Sequence, residues 1–92
     1  MFKCIVGLYG LPVETTKEHS VEIELEDEAY LTDLIAALGR KIPQLVGPVI
    51  NARENKLEQY FTFNINGHFY IDENIRITNG DQIALLAFAT GG

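Results

Sequence analysis

The residues with the clearest chemical potential in this 92-residue chain are its last two, Gly91-Gly92. They follow closely on a strand-like apolar run, Gln82 to Ala89, and contribute almost nothing to packing. Glycine has no Cβ to bury and loses the most conformational freedom on ordering, so folding gives no reason for the pair. A narrow catalytic slot does, because only a backbone without side chains can thread it. At about 7% average glycine usage, a Gly-Gly ending arises by chance in about 0.5% of chains. The leading expectation is a carrier whose Gly92 carboxylate is chemically activated by another enzyme.

The other reactive side chains form no comparable arrangement. Cys4 sits in an apolar run and reads as a small buried hydrophobe, since a reactive thiol needs exposure and an electropositive neighbour. His19 and His68 are far apart, with no third partner for a triad, and no spacing suits a metal. No nucleophile–base pair, phosphate-cradling loop or paired carboxylates in a pocket emerges, so the chain is not expected to be an enzyme by itself.

Length and composition bound the rest. Ninety-two residues are expected to form one domain spanning 1–92, with a flexible tail over about 89–92. A hydrophobic content of 47% argues against disorder. One cysteine excludes an internal disulfide and points to a reduced, cytoplasmic protein. There is no signal-peptide pattern and no apolar run of the ~20 residues that cross a bilayer. A formal charge of −6 opposes binding to a phosphate backbone, so neither nucleic acid nor membrane is an expected partner. An acidic body favours a basic protein partner instead. A merely solvated acidic surface is the other reading of that charge.

The elements that would hold the tail are legible in outline. Phe2 to Tyr9 is a largely apolar run bounded by Gly10 and Pro12, expected to be a strand buried on much of both faces. Val21, Ile23 and Leu25 alternate with Glu22, Glu24 and Glu26, the pattern of a strand with one wet face. Leu31, Leu34, Ile35, Leu38 and Ile42 make one helical stripe, with Asp33 near its start, Arg40 and Lys41 near its end, and Pro43 closing it. Residues 44–59 are hard to read and should hide a short strand or helical turn. Phe61, Phe63 and Ile65 alternate with polar residues before Asn66-Gly67, a strong hairpin signal, and His68 to Ile71 returns. Asn79-Gly80-Asp81 turns into the last strand. If Ile83, Leu85 and Ala87 face the helix, Leu86 and Phe88 face away. They would then either pack beneath neighbouring loops or, with Thr90, form a partner-binding patch beside the tail.

Three stretches, in this order, resemble the sulfur-carrier family of the β-grasp (ubiquitin-like) fold over about Val21 to Gly92. They are Tyr30-Leu31-Thr32-Asp33-Leu34-Ile35 running to Pro43, Phe63-Asn64-Ile65-Asn66-Gly67, and Asn79-Gly80-Asp81-Gln82-Ile83 leading to Gly91-Gly92. The small subunit of molybdopterin synthase is most similar, with the thiamin-pathway sulfur carrier nearby. The chain departs from the family in having Ala87-Phe88-Ala89-Thr90 where a proline commonly precedes the glycines. The resemblance implies an α+β fold, a mixed four- to five-stranded sheet packed on one main helix.

It also implies a chemistry. An E1-like adenylyltransferase would use ATP to adenylate Gly92, and a persulfide sulfur would convert the adenylate to a thiocarboxylate. A larger synthase subunit or other sulfur-acceptor enzyme would then take the sulfur in molybdopterin- or tungstopterin-type cofactor biosynthesis or a related thiolation pathway. The carrier itself binds no cofactor and no metal. Gly91 would serve threading, and a tail extended from Ala87 would reach at most about 20 Å, at about 3.3 Å per residue. Two rivals remain open: a ubiquitin-like modifier joined through Gly92 to lysines, and a binding module of the same fold with an idle tail.

Overall fold

A computed structural model of the chain describes residues 1–12, 15–70 and 73–88. Among the described residues nine elements follow one another: β1 (Phe2–Tyr9), β2 (Ser20–Leu25), α1 (Leu31–Lys41), a 3-10 turn (Pro43–Leu45), β3 (Ile50–Asn51), β4 (Lys56–Leu57), β5 (Phe61–Ile65), β6 (His68–Tyr70) and β7 (Ile83–Ala87). Five strands form one mixed sheet in the order β2-β1-β7-β5-β6. The first and last strands, β1 and β7, lie side by side and parallel; every other pairing in the sheet is antiparallel. One helix covers one face. This is the expected α+β, β-grasp arrangement.

The core follows from period-two alternation meeting period-3.6 alternation. Val6 and Leu8 of β1, Ile23 and Leu25 of β2, Phe63 and Ile65 of β5, and Ile83 and Leu85 of β7 are all buried. They meet Leu31, Leu34, Ile35 and Leu38 of α1 in one cluster. Each such side chain contributes about 1.5–3 kcal/mol on full burial. Cys4 belongs to this inner row, and burial, then the nearby Asp81 charge, push its thiol pKa up. It is an inert core residue, as its sequence context indicates.

β1 corrects one expectation. Its apolar run is buried on one face only, and Ile5 and Tyr9 on the other face are each 60% exposed. The helix covers the row of Phe2, Cys4, Val6 and Leu8 and leaves the row of Lys3, Ile5, Gly7 and Tyr9 on the other side.

The helix begins where the pattern placed it, with Tyr30 as N-cap in spite of a side chain that makes no capping bond. Asp33 supplies the missing part, accepting a bond from the Tyr30 N–H at 2.8 Å. The same end is tied down from behind, where the Leu31 N–H donates to the Ile75 carbonyl at 2.8 Å and the Ile77 N–H to the Ala29 carbonyl at 2.9 Å. At the other end Pro43 opens the 3-10 turn.

Residues 44–59 hold that turn and a hairpin of two-residue strands, β3 and β4, antiparallel to each other and separate from the main sheet. Asn66 and Gly67 both take positive φ, 54° and 91°, as their hairpin requires. Asn66 then clamps the turn before β7: its amide donates to Asp81 at 2.9 Å, and its side-chain oxygen accepts from the Gln82 N–H at 2.9 Å. Asp81 also accepts from the Thr78 N–H and hydroxyl. Asp81 is thus a turn residue. Burial alone would raise its carboxyl pKa, but the bonds from Thr78 and Asn66 outweigh that and hold it below its usual value.

Candidate functional site

β7 occupies the middle of the sheet, bonded to β1 on one side and β5 on the other, and it delivers the chain toward the tail. Its alternation divides as expected: Ile83 and Leu85 are buried on the helix side, while Leu86 is part-buried on the opposite, outer face. Ala87 is the last residue of the strand. Phe88 continues the direction, its N–H donating to the Tyr60 carbonyl at 2.7 Å, with its ring 39% exposed. The proposed site residues Thr90, Gly91 and Gly92, with Ala89, lie outside the described residues.

Strand pairing shows what surrounds Leu86. In the parallel ladder it stands beside Tyr9, and Ala84 stands beside Gly7. In the antiparallel ladder it stands opposite Thr62, and Ala84 opposite Asn64, which in turn pairs with Phe69 of β6. Paired residues share a face, so Ile5, Tyr9, Ala84, Leu86 and Phe69 form a band across the outer side. Ile5, Tyr9 and Phe69 are largely exposed. Tyr60 stands at the tail end of the band, exposed and with a φ of 80° unusual for a non-glycine residue. Thr62 is the buried member; its hydroxyl donates to the Tyr70 carbonyl at 2.9 Å.

The Tyr9 ring folds back over Gly7. A Cβ placed on Gly7 would stand 2.7 Å from the ring's Cε2 and 2.9 Å from its hydroxyl oxygen. Glycine therefore lets an aromatic ring lie along the strand instead of standing away from it. Glu22 and Glu24 of β2 flank the band on one side, with Lys3 reaching Glu22 at 3.9 Å. The result is an apolar strip with an acidic border, placed where the chain leaves the sheet.

The sequence identified Leu86 and Phe88 but not Ile5, Tyr9, Tyr60 or Phe69. For Ile5 and Tyr9 a signal existed: they share a parity along β1, opposite to that of Cys4, Val6 and Leu8. Phe69 needed the cross-strand register. Among the described residues no group of three or more His, Cys, Asp or Glu side chains could hold a metal ion. None of the described helices is long and apolar enough to cross a membrane.

The sheet order and helix placement define a ubiquitin-like β-grasp protein. Comparison with protein families matches residues 6–92 to the ThiS family, and the chain belongs to that family of small sulfur carriers. No curated protein matches. Among solved structures, the crystal structure of SAMP1 from Haloferax volcanii superposes with a TM-score of 0.81 at 21% identity, covering 98% of this chain and 99% of that one. A crystal structure of the small archaeal modifier protein 1 of the same organism gives 0.80 at 19% identity, covering 97% and 100%. The solution structure of the Haloferax volcanii HVO 2177 protein gives 0.75 at 16% identity, covering 99% and 87%. At these identities the structural likeness establishes the fold. Carriers of the ThiS type generally work with E1-like activating enzymes and sulfur acceptors, and are generally not enzymes themselves.

Proposed function

We propose that this protein is a cytoplasmic sulfur carrier charged at Gly92. An E1-like adenylyltransferase docks on the outer face around Leu86 and Phe88, with Thr90 lying against the partner and Gly91 passing through its slot. ATP adenylates the Gly92 carboxylate and pyrophosphate leaves. A persulfide sulfur attacks the acyl carbon and AMP leaves; a thiol then cleaves the acyl disulfide, freeing the thiocarboxylate. A carboxylate is a poor electrophile and the adenylate a good one, so the partner does the chemistry and this chain serves as the handle. A larger synthase subunit or another sulfur-acceptor enzyme receives the sulfur, with molybdopterin- or tungstopterin-type cofactor assembly as the leading destination.

The observation that carries this reading is the ThiS match running from residue 6 through both terminal glycines. The outer face supports it physically. Ordering a tail costs about 1–2 kcal/mol of backbone entropy per residue, and docking an apolar strip next to the exit offsets that. An intact-mass spectrum after incubation with ATP, a sulfur source and a cognate activating enzyme is expected to show one oxygen replaced by sulfur. Removal of Gly92 should abolish that change without unfolding the protein. An unchanged mass in the full chain would sink the carrier reading.

A second reading is supported by a structural neighbour that is named as a small archaeal modifier protein: the same activated glycine joined to a lysine of a target. Activation is common to both. A ladder of heavier covalent adducts of a tagged chain in cells would favour conjugation; free thiocarboxylate without adducts favours sulfur delivery.

A further inference from the structure

β2 ends the sheet on one side, and its free edge borders a trough instead of another strand. The Leu8 N–H donates to the His19 carbonyl at 2.9 Å, and this sets the parity of the β1–β2 ladder. His19, Val21, Ile23 and Leu25 exchange bonds with β1, so Ser20, Glu22 and Glu24 turn their N–H and C=O groups outward. Two depressions of about 460 Å³ each lie along this edge. The first is bounded by Lys3, Glu22, Glu24, Ala37, Arg40 and Lys41; the second shares Glu22 and Lys41 and extends to Glu18, Val21 and Ile42. Together they make one trough between the strand and the C-terminal half of α1.

Charge narrows what could fill it. The chain has 13 acidic and 7 basic side chains, yet Lys3, Arg40 and Lys41 all border the first depression. Arg40 and Lys41 form no ion pair among the described residues. Glu22 and Glu24 stand on the outer row, along the rim of the first depression, with Lys3 against Glu22 at 3.9 Å. A second copy pairing along this edge would set those carboxylates against their own kind, which is unfavourable.

We propose that this trough binds an extended segment of a partner protein, added as a sixth strand along β2. Its outer row is basic, opposite Glu22 and Glu24. Its inner row carries an apolar residue over Ala37 and acidic residues beside Arg40 and Lys41. β2 lies two places from β7, about 10 Å across the ladder, so such a partner leaves the outer strip and the tail clear. The carrier can be held by one protein while another charges it, a role that goes beyond the tail chemistry.

The test titrates the isotope-labelled full chain with a short peptide bearing Lys at odd positions and Val, Asp and Asp at even ones. Two further versions carry backbone N-methyl groups, each on one parity of amides. Amide shifts and slowed hydrogen exchange are expected at Ser20, Glu22 and Glu24, with one N-methylated version silent and the other still binding. The double variant R40E/K41E should weaken binding about tenfold, equivalent to about 1.4 kcal/mol, and leave sulfur loading at Gly92 unchanged. The proposal is overturned by shifts confined to Ile5, Leu86 and Phe88, by equal binding of both methylated versions, or by no shift at about 1 mM peptide. Unaltered affinity in R40E/K41E overturns it too. Failure of sulfur loading in the wild-type chain bears only on the tail reading, because the titration does not use the tail.

Discussion

The two faces of the central sheet are built from the same strands, yet one is almost wholly apolar and the other mixes Ile5, Tyr9, Leu86 and Phe69 with Glu22, Glu24, Thr62 and Asn64. On the inner face Val6, Leu8, Phe63, Ile65, Ile83 and Leu85 are sealed by α1. On the outer face Ile5, Tyr9 and Phe69 stand in water. Among the described residues one helix packs on the sheet, and it covers the more apolar face, leaving these three side chains without a cover. Under the proposed function this row is the surface on which the activating enzyme docks.

That contrast breaks most visibly from the inside. Phe63→Ala should cost about 3–5 kcal/mol, read as a lowered denaturant midpoint, because the ring is fully buried against α1. A loss under 1 kcal/mol would mean the inner face is not the structural one. The outer face should respond in the reverse sense. Phe88→Ala is expected to weaken engagement by the activating enzyme by about 2 kcal/mol, seen as a raised KM for the carrier, while stability shifts by less than about 1 kcal/mol. Equal losses in both readouts would merge the two faces into one core.

The Asp81 clamp sharpens the comparison through pH. Its folded pKa is lowered, so its contribution is fully present above the ordinary carboxylate range and is lost as pH falls through the lowered value. Asp81→Asn should therefore flatten the acid limb of a stability–pH curve, with little change near neutrality in sulfur loading. The smallest effect belongs to Gly7→Ala. The new methyl displaces the far end of the flexible Tyr9 side chain, not the backbone. Stability should move by less than about 1 kcal/mol, while Tyr9 ring resonances shift and the carrier's KM rises modestly.

Much of this architecture could be read in advance because its determinants are local. The stripe from Leu31 to Leu38, the Asn66-Gly67 turn and the Asn79-Gly80-Asp81 turn each depend on a few neighbouring residues. The hairpin of β3 and β4 was not legible, since two-residue strands carry no periodicity to detect. Leu86 and Phe88 could be assigned by counting from Leu85. Phe69 could not, because it joins the strip only through the cross-strand register. Ile5 and Tyr9 misled because an apolar side chain reads the same in sequence whether it is buried or exposed.

The position of β7 has a mechanical consequence. Any partner that draws the tail into a slot pulls along the axis of that strand, which is bonded on both flanks, to β1 and to β5. Such a load shears two ladders at once, whereas an edge strand could be unzipped one rung at a time. Under the proposed function, the carrier would thus be tugged by its end, charged and released without its body coming undone.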